Sequence, residues 1–209
     1  MDNQQTDQQQ NQNIQGEQEE VQQQQQQEQI EQIQKEKEKC LELKNKAGLL
    51  FSQQKFEEAA DIYNEAIDYC PLEDLNMLCI LNSNIAICLM KQSDYESALE
   101  HCSKALEFNP EFVKALLNRA ECYEKTDKLE EALEDYKKLK ELQPKDNAIM
   151  KKYIDLDLKV QELQEKRKNE ALKGLKDLGN TLLGKFGLSL DNFKMQQNEN
   201  GSYNIQFQQ

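Results

Sequence analysis

Phe56-Glu57-Glu58-Ala59, Tyr95-Glu96-Ser97-Ala98 and Leu129-Glu130-Glu131-Ala132 are three copies of one short phrase: a large apolar residue, Glu, a polar residue and Ala. The alanines lie 39 and then 34 residues apart. A period near 34 residues is that of stacked helical hairpins, none of which buries its apolar face alone. Such stacks offer elongated grooves to other proteins rather than enclosed active sites. The chain therefore reads as all-α, and the functional question becomes which peptide it holds.

Outward from each phrase, the apolar residues recur at helical spacing. In the first unit Leu43, Ala47, Leu50 and Phe51 mark one helix, Gln53-Gln54-Lys55 a turn, and Phe56, Ala59, Ala60, Tyr63 and Ala66 a second helix. Ile85, Ala86 and Leu89, then Tyr95, Ala98, Cys102 and Ala105, repeat the plan. Ala120 and Tyr123, then Leu129, Ala132, Tyr136 and Leu139, make the third unit. The small alanines let two helices approach closely, and the aromatics fill the gaps between layers. Pro71, Pro110 and Pro144 fall at one phase of the repeat, where they end a helix without removing an interior hydrogen bond. Five extra residues around Leu72 to Cys79 separate the first two units, lengthening the loop or the helix that follows.

Beyond the repeats the pattern changes. Residues 1–36 are an arm rich in Gln, Glu and Asn, with too little apolar surface to offset chain entropy. They are expected to be disordered, partly helical near the end, with no sustained heptads for a coiled coil. The three repeats occupy 37–144. Ile149, Tyr153, Leu156, Val160 and Leu163 form one apolar stripe, predicting a long capping helix over 145–177. The tail, 178–209, alternates around Asn200-Gly201, from Phe193-Lys194-Met195 to Tyr203-Asn204-Ile205-Gln206-Phe207, which is a hairpin signal.

The 209 residues carry a formal net charge of −13. That sign repels phosphate backbones and anionic lipid, so neither nucleic acid nor a membrane surface is an expected partner. No apolar run reaches the roughly 18 residues of a membrane span. The polar N-terminus does not read as a signal peptide, and the six cysteines form no C-x-x-C. Both point to buried free thiols in a reduced, cytoplasmic setting. With His101 the only histidine, no His-paired triad or multi-His metal site can be drawn. No convergent acid, base or nucleophile emerges, so an enzyme is not expected, and no cofactor is implied.

The repeats resemble the tetratricopeptide repeat family. The small residue of its eighth position is matched by Ala47, Ala86 and Ala120, the Ala of its twentieth by Ala59, Ala98 and Ala132, and the Pro of its thirty-second by Pro71, Pro110 and Pro144. Cys102 departs from the aromatic position, and Leu139 from the late Ala. The resemblance covers about residues 40–144 and implies three helix-turn-helix repeats in a right-handed solenoid. Tyr123 to Tyr136, with the tail segments Leu175–Asn180, Phe186–Phe193 and Gly201–Phe207, is similar to the tetratricopeptide repeat protein 1 family. That likeness implies an adaptor or co-chaperone, with heat-shock chaperones or GTPases as partners.

Many three-repeat domains of this family hold an acidic chaperone C-terminus, typically ending Glu-Glu-Val-Asp, through Lys and Asn on the first unit, Asn on the second, and Lys and Arg on the third. Terminal carboxylates need such fixed donors, because charge-assisted hydrogen bonds are the strong kind. Lys44, Asn84 and Lys114 match. Gly48 stands where Asn is expected and Asn118 where Arg is expected. Arg119 is one residue on, about 100° around the helix, and so is directed toward the second helix or the flank. Glu121 has the wrong sign for an acidic ligand. Against the groove stand two other readings: a scaffold for a folded partner such as a GTPase, through the convex face or the tail, and self-assembly through the Gln-rich arm. The sequence leaves the oligomeric state open.

Overall fold

The computed structural model describes residues 2–197 and 203–207. They form seven helices: α1 (Asp2–Ser52), α2 (Phe56–Asp68), α3 (Leu75–Lys91), α4 (Tyr95–Phe108), α5 (Val113–Lys125), α6 (Leu129–Leu142) and α7 (Asn147–Gly184). A 3-10 turn at Leu190–Asn192 and strands β1 (Phe193–Gln197) and β2 (Tyr203–Phe207) follow. The fold divides into two compact units, Met1–Tyr153 and Ile154–Gln209.

The first unit holds the repeats. α1 packs on α2, α3 on α4 and α5 on α6, and each hairpin packs on the next through α2 with α3 and α4 with α5. α3 also touches α5 directly, so these two first helices lie side by side. Ala47, Ala59, Ala86, Ala98, Ala120 and Ala132 are all fully buried, as close approach of paired helices requires. Tyr63 and Tyr136 fill the space beside them, each 5% exposed. Of the five inserted residues, most extend α3, which runs to 17 residues against 13 in α5. Asp74 and Asp94 start α3 and α4, their carboxylates accepting from the amides of Met77 at 3.0 Å and Ser97 at 3.1 Å.

The turn inside each hairpin shares one backbone solution. Gln54, Ser93 and Asp127 adopt φ of 63°, 64° and 59°, the left-handed conformation that ends a helix. The next amide reaches back five residues each time: Lys55 to Leu50 O, Asp94 to Leu89 O and Lys128 to Tyr123 O, at 2.9–3.0 Å. These three residues keep the 39- and 34-residue intervals of the alanines. A non-glycine residue carries no local signal for this conformation, so only the turn's location is legible in the sequence.

Residues 2–36 continue α1 as helical backbone. Gln, Glu and Lys are good helix formers, and pairs such as Gln32 with Glu36, 2.9 Å apart, add local support. Ile30 and Ile33 remain 56% and 48% exposed, so this stretch gains nothing from a core.

The opening turns of α7 belong to the first unit. Asp146 caps them, accepting from the Ala148 amide at 2.8 Å. Ile149 is buried, Lys152 Nζ lies 3.1 Å from both Glu124 oxygens, and Lys140 Nζ sits 3.8 Å from the Tyr153 ring centroid. In the second unit, α7 runs on to Gly184 and ends in a motif closed by Gly187 (φ 72°), with the Leu188 amide bonded to Leu183 O at 3.0 Å. The chain then turns back, and the Leu190 amide donates to Asn180 Oδ1 at 2.6 Å. Gly179 permits this, since a Cβ there would lie 2.5 Å from Leu190 Cδ1. β1 and β2 pair antiparallel, with Phe193 opposite Phe207 and Met195 opposite Ile205. The expected Asn200-Gly201 turn lies outside the described residues.

All six cysteines are buried and free. Burial pushes the Cys70 thiol up to about 12, with the neighbouring Cys40 adding to the effect, and the Cys88 thiol up to about 11. Cys102 is raised as well, first by its hydrogen bond with Cys122. The raised thiols, Cys40, Cys70, Cys79, Cys88 and Cys102, pack as small apolar groups, not as nucleophiles.

Candidate peptide-binding groove

The groove is built from the first helices. Lys44 stands on α1, Asn84 on α3, and Lys114 and Asn118 on α5, the first helices of the three hairpins. Three of the four are joined across the α3–α5 contact. Lys114 Nζ donates to Asn84 Oδ1 at 2.8 Å. Asn118 Nδ2 donates to Ser83 Oγ at 3.2 Å, with a longer approach to the Ser83 carbonyl at 3.5 Å. Lys44 is not brought into this cluster: it is half-buried on α1, with no hydrogen bond or ion pair among the described residues.

The electrostatics favour an anion. Partial burial lowers the pKa of Lys114 from its ordinary value, the mark of an ammonium that has lost some of its water. Its hydrogen-bond partner is a neutral amide oxygen, and no carboxylate among the described residues pairs with it, so its positive charge is not neutralised. Asn84 uses its oxygen on Lys114, and its amide hydrogens have no partner among the described residues. The arrangement therefore offers ammonium and amide N–H donors, which suits a carboxylate. Asn118 is partly committed to Ser83, so it serves the α3–α5 contact as well as any ligand. Glu121 is exposed, as a solvated acid on α5.

Arg119 is directed away from the groove. Its Nε and Nη2 reach Asp135 on α6 at 2.8 and 2.6 Å, a two-pronged ion pair. Its guanidinium carbon also lies 5.8 Å from the Tyr123 ring centroid. The Asp135 hydrogen bond raises the Arg119 pKa. Arg119 therefore locks α5 to α6 and cannot replace the missing groove arginine. Sequence reading did not single out Asp135 or Ser83. Asp135 had a signal: it lies inside the buried stripe Ala132, Tyr136, Leu139, where an acid demands a partner. Ser83 had none beyond being a small residue beside Asn84.

On the far side of the hairpins, a hollow of about 530 Å³ is lined by α2, α3 and α4. Inside it the lone histidine, His101, places Nδ1 3.0 Å from Asn82 Oδ1, and Asn82 Nδ2 donates to Leu78 O at 3.0 Å. Burial lowers the His101 pKa, with Lys104 adding to the effect. The ring thus serves a buried polar link. No cluster of three or more candidate metal ligands occurs among the described residues. No described helix is long and apolar enough to cross a membrane.

Comparison with known proteins gives the same picture. A family model described as "Tetratricopeptide repeat" matches residues 89–152. The rat mitochondrial import receptor subunit TOM70 is 39% identical over 92 residues, covering 44% of this chain and 15% of the receptor. The chain thus spans under a sixth of that relative's length. Among solved structures, the first repeat domain of Spaghetti (RPAP3) bound to the HSP90 peptide SRMEEVD superposes with a TM-score of 0.53 at 28% identity, covering 59% of this chain and 96% of that one. The Caenorhabditis elegans myosin chaperone UNC-45, in complex with an Hsp90 peptide, gives a TM-score of 0.56 at 26% identity over 68% of this chain and 16% of that one. The register of the three hairpins, the family model over residues 89–152 and these relatives make the helical repeats of this chain similar to tetratricopeptide repeats.

Proposed function

We propose that the chain is a non-catalytic adaptor of the co-chaperone kind, whose concave groove receives the extended acidic C-terminus of a partner. The observation that carries this is Lys114, an ammonium partly stripped of water and held by Asn84, in register with Lys44 on the first unit and Asn118 beside it. Spaghetti and UNC-45, whose structures contain HSP90 peptides, make a heat-shock chaperone the favoured partner class. In this reading residues 1–36 are an arm, 37–144 the peptide-binding repeats, 145–177 a cap and 178–209 a tail, and the protein works in the cytoplasm. The tail phrases around Phe186–Phe193 and Gly201–Phe207 favour the tetratricopeptide repeat protein 1 type within the family.

Titration of a peptide ending Glu-Glu-Val-Asp tests the groove. A hydrogen bond to a charged group contributes roughly 1.5–3 kcal/mol. Lys114→Ala should therefore weaken binding about ten- to a hundredfold. Unchanged affinity would remove the proposal.

A second reading, a scaffold for a folded partner such as a GTPase, is favoured by a different observation. Leu172, Leu175, Leu178, Leu182 and Phe186 are 55–80% exposed at helical spacing on α7 and just beyond it. If this stripe is the capture surface, deleting residues 178–209 abolishes capture while peptide binding survives. Capture that persists after the deletion excludes it.

A further inference from the structure

Gly48 lies inside α1, where glycine costs about 1 kcal/mol relative to alanine. No crowding explains it. A Cβ at Gly48 would meet a single atom within 4 Å, the Tyr63 hydroxyl oxygen, at the ordinary contact distance of 3.7 Å. The gap is thus open except for that hydroxyl at its edge.

Tyr63 comes from α2, the second helix of the hairpin, and its side chain reaches across to Gly48 of α1. Its ring is locked in the first core cluster with Ala47, Ile85 and Cys88, and the residue is only 5% exposed. The hydroxyl oxygen has no hydrogen bond among the described residues. It is not an orphaned buried atom either, since no buried side-chain oxygen or nitrogen among the described residues lacks a partner. The hydroxyl oxygen therefore keeps some contact with solvent beside Gly48, with its proton uncommitted. Burial raises the Tyr63 pKa from its ordinary value, so the group stays neutral and protonated through the physiological range.

We propose that the Tyr63 hydroxyl is a ligand-facing donor of the groove, exposed by the absence of a side chain at Gly48, and that it donates to the carboxylate of an incoming peptide terminus. The inference rests on the groove reading above and deepens it. The position that lacks the expected amide is not empty of donors: an O–H from the neighbouring helix stands beside it. A hydroxyl on a clamped aromatic ring loses little freedom on binding, which favours it over a flexible side chain. Glycine is then required because any longer residue would stand over the hydroxyl.

The test uses the full chain and two peptides ending Glu-Glu-Val-Asp, one with a free C-terminal carboxylate and one amidated. Tyr63→Phe removes one oxygen and keeps the ring. It should weaken the free-acid peptide about tenfold or more and leave the amidated peptide unchanged, at an unaltered melting temperature. Gly48→Asn in the Tyr63→Phe background should restore free-acid binding by supplying an amide at the same gap. The proposal is overturned if Tyr63→Phe binds as tightly as the parent, or loses both peptides equally. If Lys114→Ala still weakens binding in that case, the groove stands without Tyr63. If the parent binds neither peptide, groove and hydroxyl fall together. Should Tyr63→Phe unfold, Gly48→Leu covers the hydroxyl from α1, and unchanged affinity there overturns the proposal equally.

Discussion

Arg119→Ala should destabilise the repeats more than any single surface change, and more than its conservative counterpart at Asp135. Asp135 is 4% exposed and its side chain 6%, so its carboxylate has almost no water of its own. Two hydrogen bonds at 2.8 and 2.6 Å from Arg119 compensate for that burial. Removing the guanidinium leaves a buried carboxylate uncompensated, which costs roughly 3–5 kcal/mol. Asp135→Asn keeps an oxygen for Arg119 and leaves a guanidinium that is 25% exposed, so water recovers part of the loss. Its cost should be smaller, about 1–3 kcal/mol. Urea unfolding followed by far-ultraviolet circular dichroism measures both, and Arg119→Ala and Asp135→Ala with the corresponding double variant close a thermodynamic cycle. The double variant should be less damaged than the sum of the two single alanine variants, because no unpaired charge remains. Additive losses, or an Arg119→Ala cost below about 1 kcal/mol, would refute the claim that this pair locks α5 to α6.

Two other outcomes follow from the hairpin turns and the outer hollow. Gln54→Gly should stabilise the fold by a few tenths to about 1 kcal/mol, since glycine adopts φ near 63° without the Cβ penalty but loses more freedom on folding. The gain should be smaller at Asp127, because Asp tolerates this conformation better, and a lower melting temperature for Gln54→Gly would contradict the assignment. His101 has a folded pKa below its ordinary 6.5, so the unfolded chain takes up its proton first. Stability from this residue is complete above about pH 6.5 and is lost as pH falls through the lower folded value. The parent should therefore weaken between neutral pH and that value more steeply than His101→Gln, and parallel curves would show that His101 does not titrate in the hollow.

Much of the fold was legible because repetition is a local property multiplied. A buried alanine, a tyrosine at its side and a proline at the helix end each leave a mark within one hairpin, and three copies fix the phase. The groove was legible only as positions. Lys44, Asn84, Lys114 and Asn118 could be placed on inner faces, but nothing local shows that Lys114 spends a hydrogen bond on Asn84 or that Asn118 is shared with Ser83. The arm carries two opposed local signals, low apolar content and the high helix propensity of Gln, Glu and Lys, so composition alone leaves its state open.

By itself, then, the sequence determined the all-α repeat, its register, the acidic surface charge and the direction of Arg119 away from the groove. Each of these follows from composition or from the angle between neighbouring residues on a helix. Only the tertiary structure decided who partners whom: Arg119 with Asp135, Asn118 with Ser83, Lys114 with Asn84, and the Tyr63 hydroxyl beside the gap at Gly48. Those relations join residues 15 to 35 positions apart on different helices. They depend on how closely the helices pack and on the length of each side chain, and neither quantity is written in the spacing of the repeat.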